Sequence, residues 1–210
     1  MNVLNAIRKR RAVKHYDANH KISGEELQKL LSAAALAPTS FNTQNRQFVA
    51  VLDQETKNRL REAAWDQEQV RDASVAIIIT GDLKAHERPE RYLRDAPEAV
   101  REQLKPMIAG FYGGNEVLIK NEACRSVGLA AMNLMLAAKS IGYDSCPMIG
   151  FDPAGVSEAV GLDDDHPPLM LVVIGKAARP ARPRLGLFNL DEVVSIDSFG
   201  KRSLSGAVEA

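Results

Sequence analysis

The sequence predicts an α+β fold. Segments with helical spacing outnumber strand-like runs, so regular βαβ alternation is disfavoured. Two short apolar runs, residues 75–80 (VAIIIT) and 169–174 (LMLVVI), are each closed by a glycine and read as buried strands. Among 210 residues, 45% are apolar, which is enough to enclose a substantial core around them.

The elements follow in chain order. Residues 1–11 form a short amphipathic basic run with no apolar signal-peptide core. Ser23 and Glu26 have capping-box spacing and open a helix that places Leu27, Leu30, Leu31, Ala34 and Ala35 on one face. Pro38 stops it, and a polar loop over residues 39–44 follows. Residues 47–52 read as a strand, and Asp53 caps a helix running to about residue 65. Residues 84–117 are charged and interrupted by Pro89, Pro97, Pro106, Gly110, Gly113 and Gly114, which predicts one or two surface helices around a mobile loop, a place for a lid. Residues 121–140 form a long helix whose small side chains admit close neighbours, with Met132 and Met135 read as core. Residues 145–150 read as a loop. Asp152 and Pro153 start another helix.

One domain over residues 1–210 is expected, two small ones being the alternative. Lys plus Arg and Asp plus Glu are 27 each, so the bulk basic excess of a dedicated nucleic-acid binder is missing. Two cysteines, Cys124 and Cys146, are too few for a disulfide scaffold, and the longest apolar stretch is too short to span a bilayer. The expectation is a cytoplasmic protein without membrane or nucleic-acid partners. His15, His20, His86 and His166 are scattered and read as surface residues. Residues 163–166 (DDDH) read as a solvated turn, so no metal is expected.

Charge is unevenly placed. Residues 1–16 and 166–190 carry Arg8, Lys9, Arg10, Arg11, Lys14, Lys176, Arg179, Arg182 and Arg184, with acids absent from both. If these two clusters met in the fold beside the neutral 39–44 loop, they would suit a phosphorylated small molecule, since arginine forks match phosphate oxygens. The alternative is two solvated faces.

Five blocks then resemble the FMN-dependent nitroreductase family: residues 10–16 (RRAVKHY), 37–44 (APTSFNTQ), 72–80 (DASVAIIIT), 146–153 (CPMIGFDP), and 171–175 (LVVIG) with Arg182-Pro183-Arg184. They occur in family order over nearly the whole chain. The resemblance implies a small, mostly antiparallel sheet surrounded by helices. It also implies a homodimer with two FMN sites at the interface and a C-terminal arm, about residues 185–210, reaching the partner subunit. By the same resemblance Arg10, Arg11, Ala12, Arg182 and Arg184 bind the cofactor phosphate and ribityl chain. Lys14 lies near the flavin N1–O2 edge. Pro38, Thr39, Ser40, Asn42 and Gln44 approach from the other subunit, and Pro147, Met148, Ile149 and Gly150 bring backbone N–H groups toward flavin N5. Of Asp66, Gln67 and Gln69, Gln69 is the choice for the pyrimidine edge. Phe41, Arg46, Phe111 and Tyr112 are candidate substrate-pocket residues. Asn45-Arg46 stands where the family usually has Pro-Trp, and Ala12 where many relatives have a hydroxyl.

The implied activity is hydride transfer from NAD(P)H through flavin N5 to a quinone, nitroaromatic or similar electron-poor acceptor, with ping-pong kinetics and no catalytic side chain. Alternatives are a specialised flavin enzyme of the same fold, for reductive dehalogenation or ring oxidation, and a non-enzymatic binder of phosphorylated ligands.

Overall fold

The computed structural model describes residues 1–201 and 206–208. A four-stranded antiparallel sheet of order β1-β2-β4-β3 is formed by β1 (Arg46–Val51), β2 (Val75–Gly81), β3 (Asp144–Met148) and β4 (Pro168–Gly175). β2 is buried at every position, and the alternation of side chains along it feeds both faces. Val75, Ile77 and Ile79, with Val172 and Ile174 of β4, pack on α2 (Gly24–Ala35) and α7 (Glu116–Ser140). Ala76 and Ile78, with Leu171 and Val173, pack under α3 (Gln54–Ala63), α4 (Glu68–Asp72) and α8 (Pro153–Val160).

Local chemistry explains the element ends. Ser23 Oγ accepts from Glu26 N at 3.2 Å while the Glu26 carboxylate accepts from Ser23 N at 3.0 Å, completing the capping box. Asp53 caps α3 through Thr56 N, and Asp152 caps α8 through Ala154 N and Gly155 N. α7 crosses behind the sheet, burying Ala123, Ala130, Ala131 and Ala138, small residues that let this long helix lie close to the strands. A short α1 (Val3–Lys9) lies on α7.

Several expectations need correction. Residues 145–150 are not a loop, because Asp144–Met148 is the edge strand β3. Pro147 reads as a break, yet an edge strand tolerates a residue without an N–H. The proline- and glycine-broken stretch is mostly helix: a 3-10 turn at Ala85–Glu87, α5 (Pro89–Tyr92) and α6 (Glu98–Tyr112), with Pro106 and Gly110 inside α6. Pro106 and Glu102 are exposed, so water can take the carbonyl that the ring leaves unbonded. Met132 is 43% exposed and only Met135 is core. His20, His86 and His166 are partly buried rather than surface residues, each with a polar or aromatic partner.

Tyr143, fully buried, ties the sheet to the start of α2. Its hydroxyl donates to Glu26 Oε2 at 3.0 Å and meets His20 Nε2 at 2.9 Å, while Lys176 Nζ lies 3.8 Å over its ring. Hydrogen bonds from Ser23 and Tyr143 lower the Glu26 carboxyl from its ordinary value of 4.5 to about 2. A lowered carboxyl contributes stability above its unfolded value and loses it as the pH falls through the folded one. In urea unfolding, the stability gap between wild type and Glu26→Gln is therefore expected to be full at neutral pH and to close between pH 4.5 and about 2. A gap that stays constant over that range would contradict this linkage. At the same end of β4, a Cβ on Gly175 would stand 2.8 Å from Tyr16 Cδ1 and 3.0 Å from Ser74 N. Gly175→Ala should cost roughly 1–3 kcal/mol by overpacking, seen as a lower urea midpoint with an unchanged slope.

Candidate functional site

The two ends of the chain run side by side along the free edge of β3. Ala12 bridges Ser145, with Val13 N donating to Ser145 O at 3.1 Å. Asp17 N donates to Lys176 O and Ala178 N to His15 O, each at 2.9 Å. Arginines extend the join: Arg11 Nη2 donates to Arg182 O at 2.5 Å, and Arg184 Nη2 to Arg8 O at 3.0 Å.

This join builds an open cavity of about 670 Å³, lined by Arg10, Arg11, Ala12, Lys14, Gln67, Gln69 and residues 182–187. Five of the lining side chains are cationic and none is acidic. The Arg10 guanidinium is pushed below its ordinary value first by burial and then by repulsion from Arg184 and Arg11. Cations crowded without a carboxylate favour an anion.

Glutamines set the inner wall. Gln67 Oε1 accepts from Lys14 Nζ at 3.4 Å and from Gln69 Nε2 at 2.8 Å, while Gln67 Nε2 donates to Gly150 O at 3.1 Å. Gln69, 5% exposed, also reaches Met148 Sδ at 3.6 Å. Gln67 thus occupies the hub of the wall, although Gln69 is the residue the sequence favours. Gln67 follows two left-handed residues, Trp65 (φ 55°) and Asp66 (φ 57°), and no sequence signal marks that strained turn. The Trp65 ring lies against Gly150, where a Cβ would come within 2.8 Å of it, so the close approach requires glycine. Of the block 147–150, Met148 is buried and Ile149 is 77% exposed. Cys146 is buried beneath the wall, and burial raises its thiol against the opposing pull of Lys14 and Arg10, which suits a packing thiol.

The remaining candidates lie elsewhere on the subunit. Pro38, Thr39, Ser40 and Asn42 are absent from the cavity wall, and Gln44 lines a separate cavity. Phe41, Asn42 and Gln44 all have positive φ, at 51°, 56° and 48°. Local bonds hold that loop: Gln44 N donates to Thr39 Oγ1 and Asn42 Nδ2 to Tyr92 O, both at 2.9 Å. Phe41, Phe111 and Tyr112 do come together, with edge-on ring separations of 5.0–6.2 Å. Tyr112 is 2% exposed and Phe111 49%. Arg46 sits apart from them, under the end of α2. Among the described residues no group of three or more His, Cys, Asp or Glu side chains could hold a metal, and no helix is long and apolar enough to cross a membrane.

The profile of the Nitroreductase family matches residues 7–176. The chain is 46% identical over 182 residues to protein DrgA of Synechocystis sp., covering 86% of this chain and 87% of that one. It is 31% identical over 184 residues to the CLA biosynthesis enone reductase of Lactiplantibacillus plantarum, covering 81% and 83%. Its fold superposes with a TM-score of 0.86 on an Exiguobacterium sibiricum protein solved in complex with FMN, at 33% identity over 93% of this chain and 97% of that one. Fold, block order and these likenesses agree: the chain belongs to the nitroreductase family.

Proposed function

We propose that this protein is an FMN-dependent NAD(P)H oxidoreductase that reduces small electron-poor acceptors such as quinones, nitroaromatics and activated alkenes. The observation that carries this reading is the acid-free cavity with five cations, joined from the two ends of a nitroreductase-family chain. Its contents fit FMN: a phosphate answers the crowding at Arg10, Arg11, Arg182 and Arg184, and Lys14 with the amides of Gln67 and Gln69 offers donors to a polar ring edge. When bound, FMN would supply the hydride chemistry between NAD(P)H and the acceptor. Arg10, Arg11, Arg182 and Arg184 bind the phosphate end and ribityl chain, and Lys14 places positive charge by the pyrimidine edge, where it favours the reduced, negatively charged form. The segment 147–150 forms the wall toward the reacting face, with Gly150 anchored by Gln67. No side-chain nucleophile is required.

The working unit is a homodimer, with Pro38, Thr39, Ser40, Asn42 and Gln44 reaching the partner's cofactor. This accounts for a loop with three strained residues lying away from its own subunit's cavity. Apolar side chains support it: Leu129 and Met132 of α7 and Val3, Leu4 and Ile7 of α1 are 43–67% exposed, and Leu185, Leu187 and Phe188 of the C-terminal segment are 52–105% exposed. About 185–210 forms an arm that crosses to the partner, of which residues 202–205 and 209–210 lie outside the described residues. One domain spans the chain. A cytoplasmic setting fits two free cysteines, Cys124 exposed and Cys146 buried.

The visible spectrum of the freshly purified protein tests the reading. Flavin bands that bleach on anaerobic addition of NADH or NADPH are the expected result. A colourless protein that also fails to take up added FMN would overturn it. Replacing both Arg182 and Arg184 by Ala should weaken FMN retention, each lost charge-assisted bond being worth on the order of 1.5–3 kcal/mol, as read by flavin fluorescence after dilution. Equal retention in wild type and double variant would place the phosphate elsewhere.

A further inference from the structure

A second cavity, of about 220 Å³, opens where the end of α2 and the start of β1 meet the turn before α5, and it shares no lining residue with the first. Its charged lining is Arg46, Arg88, Arg91 and Arg94 against the single acid Asp82. Asp82 is already engaged, because its two oxygens accept from Arg88 Nη2 at 2.5 and 2.6 Å. Among the described residues Arg94 reaches only Asp95, at 3.5 Å, with both side chains largely exposed. Arg91 has no ion pair or side-chain hydrogen bond among the described residues.

Arg46 is the deepest of the four, 7% exposed. Its Nη2 donates to the carbonyls of Ala35 at 2.8 Å and Ala37 at 2.7 Å, which close the end of α2. Nε and Nη1 are buried without a partner. Burial accounts for the lowered proton affinity of this guanidinium. A buried cation with N–H groups unmade is costly to the fold, and an entering anion recovers that cost.

We propose that this cavity is a binding site for a small dianionic oxyanion, a phosphate or a dicarboxylate, held between buried Arg46 and the exposed pair Arg91 and Arg94. Guanidinium donors match the oxygens of such groups in direction as well as charge, which a halide does not reproduce. At about 30 Å³ per water the space equals roughly seven waters, enough for such an ion but too small for a nucleotide. Asp82 opposes entry, and its two bonds to Arg88 offset that opposition. Thr43 and Gln44 of the strained loop share the wall, so occupancy bears directly on that loop. The cavity shares no lining residue with the first, and its arginines are none of those assigned to FMN; Gln44 alone also belongs to the loop assigned to the partner's cofactor.

Isothermal titration of the protein as purified, with inorganic phosphate, malonate and chloride at matched ionic strength, tests this site. Binding of phosphate or malonate beyond chloride is expected, and whichever binds tighter names the class. Arg91→Ala with Arg94→Ala should weaken that binding at least roughly tenfold, since each removes a charge-assisted donor. Arg182→Ala with Arg184→Ala should leave it unchanged. Both exposed arginines are clear of the core, and Arg91→Lys with Arg94→Lys should give an intermediate affinity. The proposal falls if neither ion binds beyond chloride, or if the affinity survives loss of Arg91 and Arg94. It falls too if affinity follows Arg182 and Arg184, which would assign the ion to the first cavity.

Discussion

Arginine side chains bonded to the backbone carbonyls of the opposite chain end hold the candidate site together. Arg11 bonds Arg182 O and Arg184 bonds Arg8 O, so each terminal segment carries the other's guanidinium. Charges that repel one another are thereby fixed close together by neutral acceptors, which a pairing with carboxylates would have silenced. The cavity exists because that join is made at the edge of β3, with Ala12 on Ser145 as its first stitch. The sheet behind it is rigid for a different reason: β2 is buried throughout and carries a helical layer on each face.

The fold was legible where local chemistry coincides with burial. The Ser23–Glu26 box, the Asp53 and Asp152 caps and the β-branched run 75–80 all state their conformations in neighbouring residues. β3 was hidden because a strand containing Cys146 and Pro147 is stabilised by β4 on one side and by residue 12 on the other, neither of which is near in sequence. α6 was hidden for the converse reason: Pro106 argues for a break, and exposure lets the helix absorb it. Met132 shows how helical spacing names a stripe without saying which side meets the sheet.

For the site, composition alone marked both basic clusters, and the acid-free stretches were the useful signal. Their meeting depends on long-range backbone pairing, which no local pattern encodes. Gln67 illustrates the limit: it lies two residues from Gln69, and only the left-handed turn at Trp65 and Asp66 turns its amide toward Lys14 and Gly150. Arg46 is a similar case. A charged residue at the start of a strand reads as a rim residue, whereas its guanidinium turns inward to two carbonyls at a helix end.

Trp65 is the only tryptophan of the chain, and it rests on Gly150 at the margin of the cationic cavity. Its indole emission consequently comes from one place, and that place is joined through Gln67 to the cavity wall. Nature has installed an optical probe there. Any chromophore absorbing near the indole band and seated in the cavity would drain that emission, and a shift of the 147–150 segment would alter its colour, so the state of the site can be followed in solution without a label.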